Sequence, residues 1–247
     1  MATKEKVLTA AQFLRKHYIK TAIFINEQHF RINAFFQFEP LYTLTNFKQL
    51  NAPNIYICNN KFLIAVLAED NACQVMKNLG SIGIKFFINI SLTTDKNIAH
   101  SKQIFIIKKV IVSQNLEVLN DHNFVKTSSK INNFVIDFLN NQNLKATGTL
   151  GWTKETLTNT SPLVVLKNLS AGAVCIKQTS EDLTILSKTK HYEFSEVLCT
   201  PKLTSAPNET GACFVLLACA NEFVKKIASK KRIRIRRKAK KTIENLK

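Results

Sequence analysis

The stretch Leu144–Leu166, LKATGTLGWTKETLTNTSPLVVL, holds the only tryptophan of the chain and two of its six glycines. Its Gly- and Thr-rich part before Trp152 favours a short strand with a bend, because glycine accepts backbone conformations that other residues resist. Residues 158–161 (TNTS) are turn formers. Leu163–Leu166 is an aliphatic run bounded by turn signals, which is typical of a strand buried on both faces. We therefore expect a strand, a polar crossing at the rim of an α/β sheet, and a buried strand.

The spacing of apolar residues upstream indicates a strand–helix–strand unit. Residues 55–58 (IYIC) and 62–67 (FLIAVL) predict two strands, and residues 69–79 have helical spacing with Gly80 as the expected stop. Residues 84–90 predict the next buried strand. Such a unit is typical of a parallel sheet with right-handed crossovers.

Other segments extend this pattern over most of the chain. Helices are expected at 8–18, 131–144 and 181–187, a short strand at 174–176, and an extra strand or inserted hairpin at 104–112. The sequence therefore predicts an α/β fold of three layers, with a mainly parallel sheet of flavodoxin-like strand order.

The positive charge is concentrated at one end of the chain. The 247 residues include 35 Lys and Arg against 17 Asp and Glu, a formal net charge of +18. Residues 225–247 carry +11 of this charge, which leaves +7 for the rest. Such a charge favours a polyanionic partner, either nucleic acid or an acidic membrane surface. A solvated tail or a nuclear-localisation signal is the alternative.

Eleven basic residues form this tail without an acidic residue between them, and we expect them to bind RNA. Arginine offers planar donors for phosphate oxygens and stacks on bases. A membrane surface is disfavoured because Ile227, Ile233 and Ile235 supply only a small apolar face. The predicted RNA-binding residues are Lys225, Lys226, Lys230, Lys231, Arg232, Arg234, Arg236, Arg237, Lys238, Lys240 and Lys241.

No catalytic constellation stands out in the sequence. The six cysteines form no Cys-x-x-Cys pair and the five histidines have no metal-like spacing, so we expect no metal, no cofactor and no catalytic residues. No Gly-rich phosphate loop follows a predicted strand. Asp70 follows one, and we interpret it as a helix N-cap, with an enzymatic acid as the alternative. No apolar run approaches the ~20 residues of a membrane span.

The string around the tryptophan resembles a family motif. It is similar to Arg-Trp-x-Gly-Gly-x-Leu-Thr-Asn of the bacterial-type S-two family of small-subunit ribosomal proteins. The matching residues are Trp152, Thr156 at a variable position, Leu157, Thr158 and Asn159. Gly151 replaces the family's Arg, and Lys154 and Glu155 replace its glycines.

A second match to this family lies downstream. Pro207 and Asn208 stand where the family has Ile-Pro-x-Asn-Asp-Asp after a strand, with shorter spacing and eroded acidic residues. Since parallel topology puts comparable loops at the same end of a sheet, we expect Thr158, Asn159, Pro207 and Asn208 at one rim. The long helical hairpin of bacterial members has no counterpart in the chain.

The resemblance implies a structural protein of the small ribosomal subunit, not an enzyme, that binds rRNA and neighbouring ribosomal proteins and takes no small-molecule substrate. Abundant Asn, Ile, Lys and Phe suggest an AT-rich organelle gene, so a mitochondrial or alternatively plastid location is expected. The other functions considered are an RNA-modifying α/β enzyme and a free-standing nucleic-acid-binding module. The expected domains are 1–53 (N-terminal helix and arm), 54–224 (α/β, with 92–128 inserted) and the tail 225–247.

Overall fold

In the computed structural model, ten strands of the described residues form one sheet, with helices packed on both of its faces. The structure describes residues 10–26, 38–40, 55–58, 61–92, 104–112, 124–154, 172–199, 219 and 221–227. The strands of these residues are β1 Thr21–Asn26, β2 Phe38–Pro40, β3 Ile55–Cys58, β4 Phe62–Leu67, β5 Phe86–Leu92, β6 Ile104–Ile111, β7 Phe124–Lys126, β8 Ala146–Thr153, β9 Val174–Ile176 and β10 Glu193–Cys199. The helices are α1 Ala10–Lys16, α2 Ala72–Ser81, α3 Ser129–Asn141, α4 Gln178–Thr189 and α5 at 221–227, with a 3-10 turn at Glu69–Asn71.

The sheet contains two parallel blocks that meet at an antiparallel pair. Its order is β2-β3-β4-β1-β5-β10-β6-β8-β9, with β7 pairing with β6 outside this path. All pairs within β4-β1-β5-β10 are parallel, and so are those within β6-β8-β9, whereas β10 and β6 are antiparallel. The predicted three-layer α/β class with a mainly parallel sheet is confirmed. Numbered along the chain, the first block has the order 2-1-3-4 with which a flavodoxin-like sheet begins.

Two segments lie deeper in the sheet than the sequence suggested. β1 belongs to the segment 1–53, expected as a helix and an arm, and it lies between β4 and β5 with Ile23 opposite Ile64 and Ile88. β6 belongs to the expected insertion 92–128 and lies between β10 and β8. Their pairing partners come from other parts of the chain, so local patterns could not assign their positions.

One face of the sheet is covered by α1, α2 and α4. Leu14 of α1, Val75 and Leu79 of α2 and Leu183 of α4 pack there against Phe87 of β5, and all five are buried. The apolar residues of α2 recur at the helical spacing seen in the sequence. Each helix therefore presents one apolar stripe to the strands.

The start and end of α2 differ from the prediction. Its N-cap is Asn71 and not Asp70, and no side chain caps it. The helix continues past Gly80, and the left-handed backbone that ends it belongs to Gly83, with φ +112°. Gly80 serves a packing role instead, because a Cβ there would overlap the ring and hydroxyl of Tyr192.

The other face of the sheet is covered by α3 and α5. Val135 and Leu139 of α3 are buried, and Phe223 of α5 packs edge-on against Phe86 with ring centroids 5.8 Å apart. The Ser128 side chain caps α3 by accepting a hydrogen bond from the Ile131 N–H at 3.3 Å. In the part of the chain that the structure describes, no helix has the length and apolar character required to cross a membrane.

Candidate functional site

A buried polar cluster lies toward the carboxyl ends of the parallel strands β1, β4, β5 and β10. Open α/β sheets bind ligands outside this edge, where the connecting segments converge. The cluster involves Asn89 and Ser91 of β5, Glu196 of β10, and the first turn of α4. It is therefore the place in the described structure where a ligand site is expected.

Strand alternation puts the polar residues of this cluster on one face. Phe87 of β5 and Phe194 of β10 belong to the apolar core beneath α2 and α4. Asn89 and Ser91 follow Phe87 at a spacing of two, and Glu196 follows Phe194 in the same way, so these side chains share that face. The register confirms the proximity, because Glu196 lies directly opposite Asn89.

The packing of β9 against β10 positions the start of α4 near this cluster. Leu198 of β10 shares an apolar cluster with Val174 and Ile176 of β9. Helix α4 follows β9 immediately, so its start is brought near Glu196. Lys177 precedes the helix and Ser180 lies in its first turn, where Ser180 is buried.

The Glu196 carboxylate is completely buried and accepts three side-chain hydrogen bonds. Its side chain is 0% exposed. Asn89 Nδ2 donates to Oε2 at 2.7 Å, and the Ser91 hydroxyl donates to Oε1. The Ser180 hydroxyl also bonds the carboxylate, and the charge of Lys177 acts on it. A buried carboxylate needs such partners because leaving it unpaired costs several kcal/mol.

Burial dominates the electrostatics of this carboxylate. Desolvation raises the pKa of Glu196 from its ordinary value of 4.5 to about 7, because a low-dielectric surrounding disfavours the charged form. The hydrogen bonds from Ser91, Asn89 and Ser180 and the charge of Lys177 act in the opposite direction. Groups with such displaced pKa values are enriched at functional sites, although structural networks produce them as well.

A small pocket of about 30 Å³ lies against this cluster. Its polar wall consists of Asn89, Ser91, Lys177, Thr179 and Ser180. Apolar residues of β1, β4, β5 and α2, together with Ala68 after β4, form the remainder. Glu196 itself is not part of the wall, but its carboxylate accepts hydrogen bonds from three wall residues, Asn89, Ser91 and Ser180. A volume of this size accepts a water molecule or one substituent of a larger ligand.

A second buried polar network lies on the opposite face and is structural. The Ser195 hydroxyl donates to Asn132 Oδ1 at 2.7 Å, and Asn132 Nδ2 donates to Thr127 Oγ1 at 2.8 Å. The Thr127 hydroxyl in turn donates to the Ile107 carbonyl at 2.5 Å. These bonds tie the start of α3 to β10 and β6 and leave the members of the network paired.

The tryptophan of the motif string is buried. Trp152, in β8, is 0% exposed and packs with Ile111, Ala173 and the partly buried Phe124. Its indole Nε1 is buried and has no hydrogen-bond partner among the residues that the structure describes. The neighbouring Gly151 serves close packing, since a Cβ there would lie 2.9 Å from the Ile107 side chain. Thr156, Leu157, Thr158, Asn159, Pro207 and Asn208 lie outside the described residues, so the one-rim prediction stays a prediction.

Two residues of the predicted RNA-binding tail fall in the described part of the chain. Lys225 and Lys226 belong to α5. Lys225 pairs with Glu222, and the Lys226 ammonium lies 4.8 Å from the ring centroid of Phe134. The other nine, from Lys230 to Lys241, lie outside the described residues. Within the described ranges, no group of three or more His, Cys, Asp or Glu side chains is placed to hold a metal ion.

Sequence reasoning missed the cluster around Glu196. A signal was present in β5, where Asn89 and Ser91 interrupt an otherwise apolar strand, whereas Glu196 shares β10 with the polar residues Glu193 and Ser195. Three segments that are distant in sequence meet at one carboxylate, and only the folded structure shows that they do.

The fold is of the nucleoside phosphorylase-like α/β type. Among the similar solved structures is a P. knowlesi homolog of P. falciparum PNP, with a TM-score of 0.58, 8% identity, and coverage of 91% of this chain and 96% of that one. The futalosine hydrolase mutant of Helicobacter pylori has a TM-score of 0.56 and 8% identity, covering 82% of this chain and 99% of that one. Toxoplasma gondii purine nucleoside phosphorylase has a TM-score of 0.55 and 10% identity, covering 92% and 99%. No family model matches the chain, and no curated protein matches its sequence.

These comparisons overturn the functional predictions made from the sequence. The similar structures are nucleoside hydrolases and phosphorylases, and not ribosomal proteins. The predicted membership of the S-two family and the structural role in the small ribosomal subunit are therefore wrong. The predictions that the chain is not an enzyme, and that it binds rRNA and ribosomal proteins and no small-molecule substrate, are wrong for the same reason. The RNA-modifying enzyme and the nucleic-acid-binding module disagree with these structures too. The string was misleading because the described part of its surroundings, Gly151 and Trp152, serves packing within the sheet. The mitochondrial location and the domain division stay predictions.

Proposed function

We propose that the chain is an enzyme that cleaves the bond between base and sugar of a nucleoside. The similar structures include a futalosine hydrolase, a purine nucleoside phosphorylase and a 5'-methylthioadenosine/S-adenosyl homocysteine nucleosidase, so the acceptor of the sugar is water or phosphate. In either case the C–N bond breaks, the base leaves with the electron pair and takes up a proton, and the acceptor oxygen bonds the sugar carbon. The observation that carries the proposal is the polar pocket over buried Glu196 at the carboxyl edge of the sheet.

The role proposed for this pocket is recognition of the substrate. Its volume of about 30 Å³ accepts one substituent of a base, while the rest of a nucleoside would lie across the edge of the sheet. Glu196 is a positioning residue, because it fixes Asn89, Ser91 and Ser180 without lining the pocket. Polar groups held in advance in a water-poor surrounding bind and orient a ligand without reorganisation.

The proposal is tested by incubating the purified full chain with a panel of purine and pyrimidine nucleosides, with and without inorganic phosphate. Released base is quantified by chromatography. Release that requires phosphate and yields a sugar phosphate identifies phosphorolysis, and release without phosphate identifies hydrolysis. We expect at least one nucleoside to be cleaved.

Variants connect this activity with the site. Asn89→Ala removes a polar wall residue and is expected to lower kcat/KM at least about tenfold, the loss for one hydrogen bond of about 1.4 kcal/mol. Asp137→Asn, on the exposed side of α3, is the matched control and should behave as the unmodified chain. Absence of base release from every nucleoside refutes the proposed function, and equal activity of the Asn89 variant refutes the site.

A further inference from the structure

We propose that the edge of the sheet opposite the pocket binds the surface of an anionic membrane. This edge is formed by the amino ends of β1, β5 and β10, with the end of β7 and the start of α3 beside them. It is separate from the pocket, so its role goes beyond the proposed function. We call six exposed basic residues of this edge the amino-edge lysines: Lys16, Lys20, Lys85, Lys126, Lys130 and Lys190.

Backbone hydrogen bonds place Lys20 and Lys85 next to each other, immediately before β1 and β5. The Lys20 carbonyl accepts from the Lys85 N–H at 2.9 Å and from the Phe86 N–H at 3.0 Å. Thr21 lies opposite Phe86 in the register of these parallel strands, so the two lysines precede a matched pair and share one face of the sheet. Within the residues that the structure describes, no salt bridge involves either lysine.

The start of α3 adds positive charge beside the amino end of β10. The Ser128 N–H donates to the carbonyl of the second residue of β10 at 2.7 Å, so Lys126 and Lys130, two residues before and after it, lie at this edge. Lys130 also reaches β5, because its ammonium lies 4.4 Å from the ring centroid of Phe86. Glu193, an acid of this edge, is half-buried and accepts a hydrogen bond from the Ser128 hydroxyl.

The fold gains no stability from most of this charge. Lys130 lies in the first turn of α3, where the helix dipole disfavours a cation. Lys126 lies directly opposite Lys109 in the β6–β7 pair, and like charges in such a pair are destabilising. Lys20 and Lys85 form a third pair of like charges, and only the lysines at the ends of α1 and α4 complement a helix dipole. An anionic surface outside the chain makes all three unfavourable arrangements favourable.

The composition of this edge favours a lipid surface over a nucleic acid. Its exposed basic residues are lysines except for Arg15, whereas arginine is the residue whose planar fork matches phosphates and base edges in two-point contacts. Tyr18, between Lys16 and Lys20, is 67% exposed and is the one large apolar or aromatic side chain exposed among the described residues. Tyrosine is enriched where lipid meets water, and anionic lipids attract lysines close to that level.

The opposite edge and the middle of α2 offer lysines for a matched control. The Lys145 carbonyl accepts from the Ile104 N–H at 3.0 Å, and Ile104 pairs with Cys199 at the carboxyl end of β10. Lys145 therefore lies at the edge that carries the pocket. Lys77 lies in the middle of α2, and both lysines are exposed.

The first experiment measures co-sedimentation of the full chain with vesicles of phosphatidylcholine, with and without phosphatidylserine. We expect binding to require phosphatidylserine. The double variant Lys20→Gln, Lys85→Gln should bind at least about tenfold more weakly, since each lysine near an anionic surface contributes about fivefold. The double variant Lys77→Gln, Lys145→Gln removes the same charge, and its binding should change by less than about threefold, because salt screens charges that lie away from the contact. The basic tail is intact in both variants, and thermal unfolding verifies that both are folded.

The results also distinguish the membrane from other partners. Equal losses in the two double variants would assign the binding to net charge or to the tail, and would overturn the proposal. Binding to neutral and anionic vesicles alike, or to neither, would overturn it as well. A selective loss in the Lys20 and Lys85 variant that appears with a short oligonucleotide but not with anionic vesicles would identify a nucleic acid as the partner and refute the membrane surface.

A second measurement reports which edge touches the membrane. Tyr18→Trp places a fluorescent side chain on the amino edge and Lys145→Trp places one on the opposite edge, while Trp152 of the chain itself is buried. Anionic vesicles that contain brominated phosphatidylcholine should quench the Tyr18→Trp variant and leave the Lys145→Trp variant at the level of the unmodified chain. Quenching that is equal in the two variants, or stronger in Lys145→Trp, would overturn the proposal.

Discussion

Replacing Glu196 with glutamine should change how stability depends on pH. The pKa of Glu196 is about 7 in the folded chain against an ordinary 4.5, a difference of about 2.5 units. Each unit corresponds to about 1.4 kcal/mol, so the linked free energy is about 3–4 kcal/mol. Below pH 4.5 the carboxyl is protonated in both the folded and the unfolded chain, so burying it lowers the stability by no linked free energy. As pH rises from 4.5 to 7 only the unfolded chain loses the proton, which favours unfolding, and above pH 7 the full cost is present.

The assay is urea unfolding of the unmodified chain and Glu196→Gln between pH 5 and pH 8.5. Fluorescence of the single tryptophan is a suitable probe, because Trp152 is completely buried when folded. The stability of the glutamine variant relative to the unmodified chain should rise by about 3 kcal/mol across this range, and shared titrating groups cancel in the difference. Asp137→Asn should show no such rise. A difference that stays constant with pH would refute the assignment of a raised pKa to Glu196.

Three further substitutions test the packing. Trp152→Ala should lower the free energy of unfolding by about 3–5 kcal/mol in urea titrations, because it empties a fully enclosed space, and a loss below about 1 kcal/mol would contradict the burial. Gly80→Ala should destabilise the chain, because the added Cβ overlaps Tyr192. When Tyr192 is also replaced by Ala, the same change should be neutral or stabilising, since alanine favours a helix by up to about 1 kcal/mol once the overlap is gone. Additive effects of the two substitutions in this double-mutant cycle would argue against the contact. Asn132→Ala should lower the free energy of unfolding by about 2–4 kcal/mol, because it leaves buried hydrogen-bond partners unpaired. Asn133→Ala, at the exposed neighbouring position, should change it by no more than about 0.5 kcal/mol in the same thermal or urea assay. Equal losses in the two variants would contradict the network.

The elements with strong local patterns were predictable from the sequence. Phe62–Leu67 is an unbroken apolar run, and all six of its residues are buried in β4. The spacing in α2 and α3 likewise predicted helices, and β9 at Val174–Ile176 agrees with the expected bounds. The spacing of apolar residues that predicts such elements depends only on neighbours along the chain.

The strand order and the site were not predictable in the same way. The pairing of β10 with β5 and β6 joins segments that no local pattern connects. Glu196 lies in a strand where a charged residue ordinarily indicates a solvated face, and its burial depends on Asn89, Ser91 and Ser180 from two other elements. The five matching residues between Trp152 and Asn159 gave the wrong family because so short a match arises by chance in strand and turn sequences.

The position of β10 determines when the protein can fold during its synthesis. It is the last of the described strands along the chain, yet it lies inside the sheet between β5 and β6. Until residue 199 has left the ribosome, the inner edges of those two strands have no pairing partner, and unpaired edges are where chains aggregate. The contact between Asn89 and Glu196 spans 107 residues, a separation that slows folding. The strand that closes the sheet also delivers Glu196, so a nascent chain that lacks it has neither a continuous sheet nor a formed pocket.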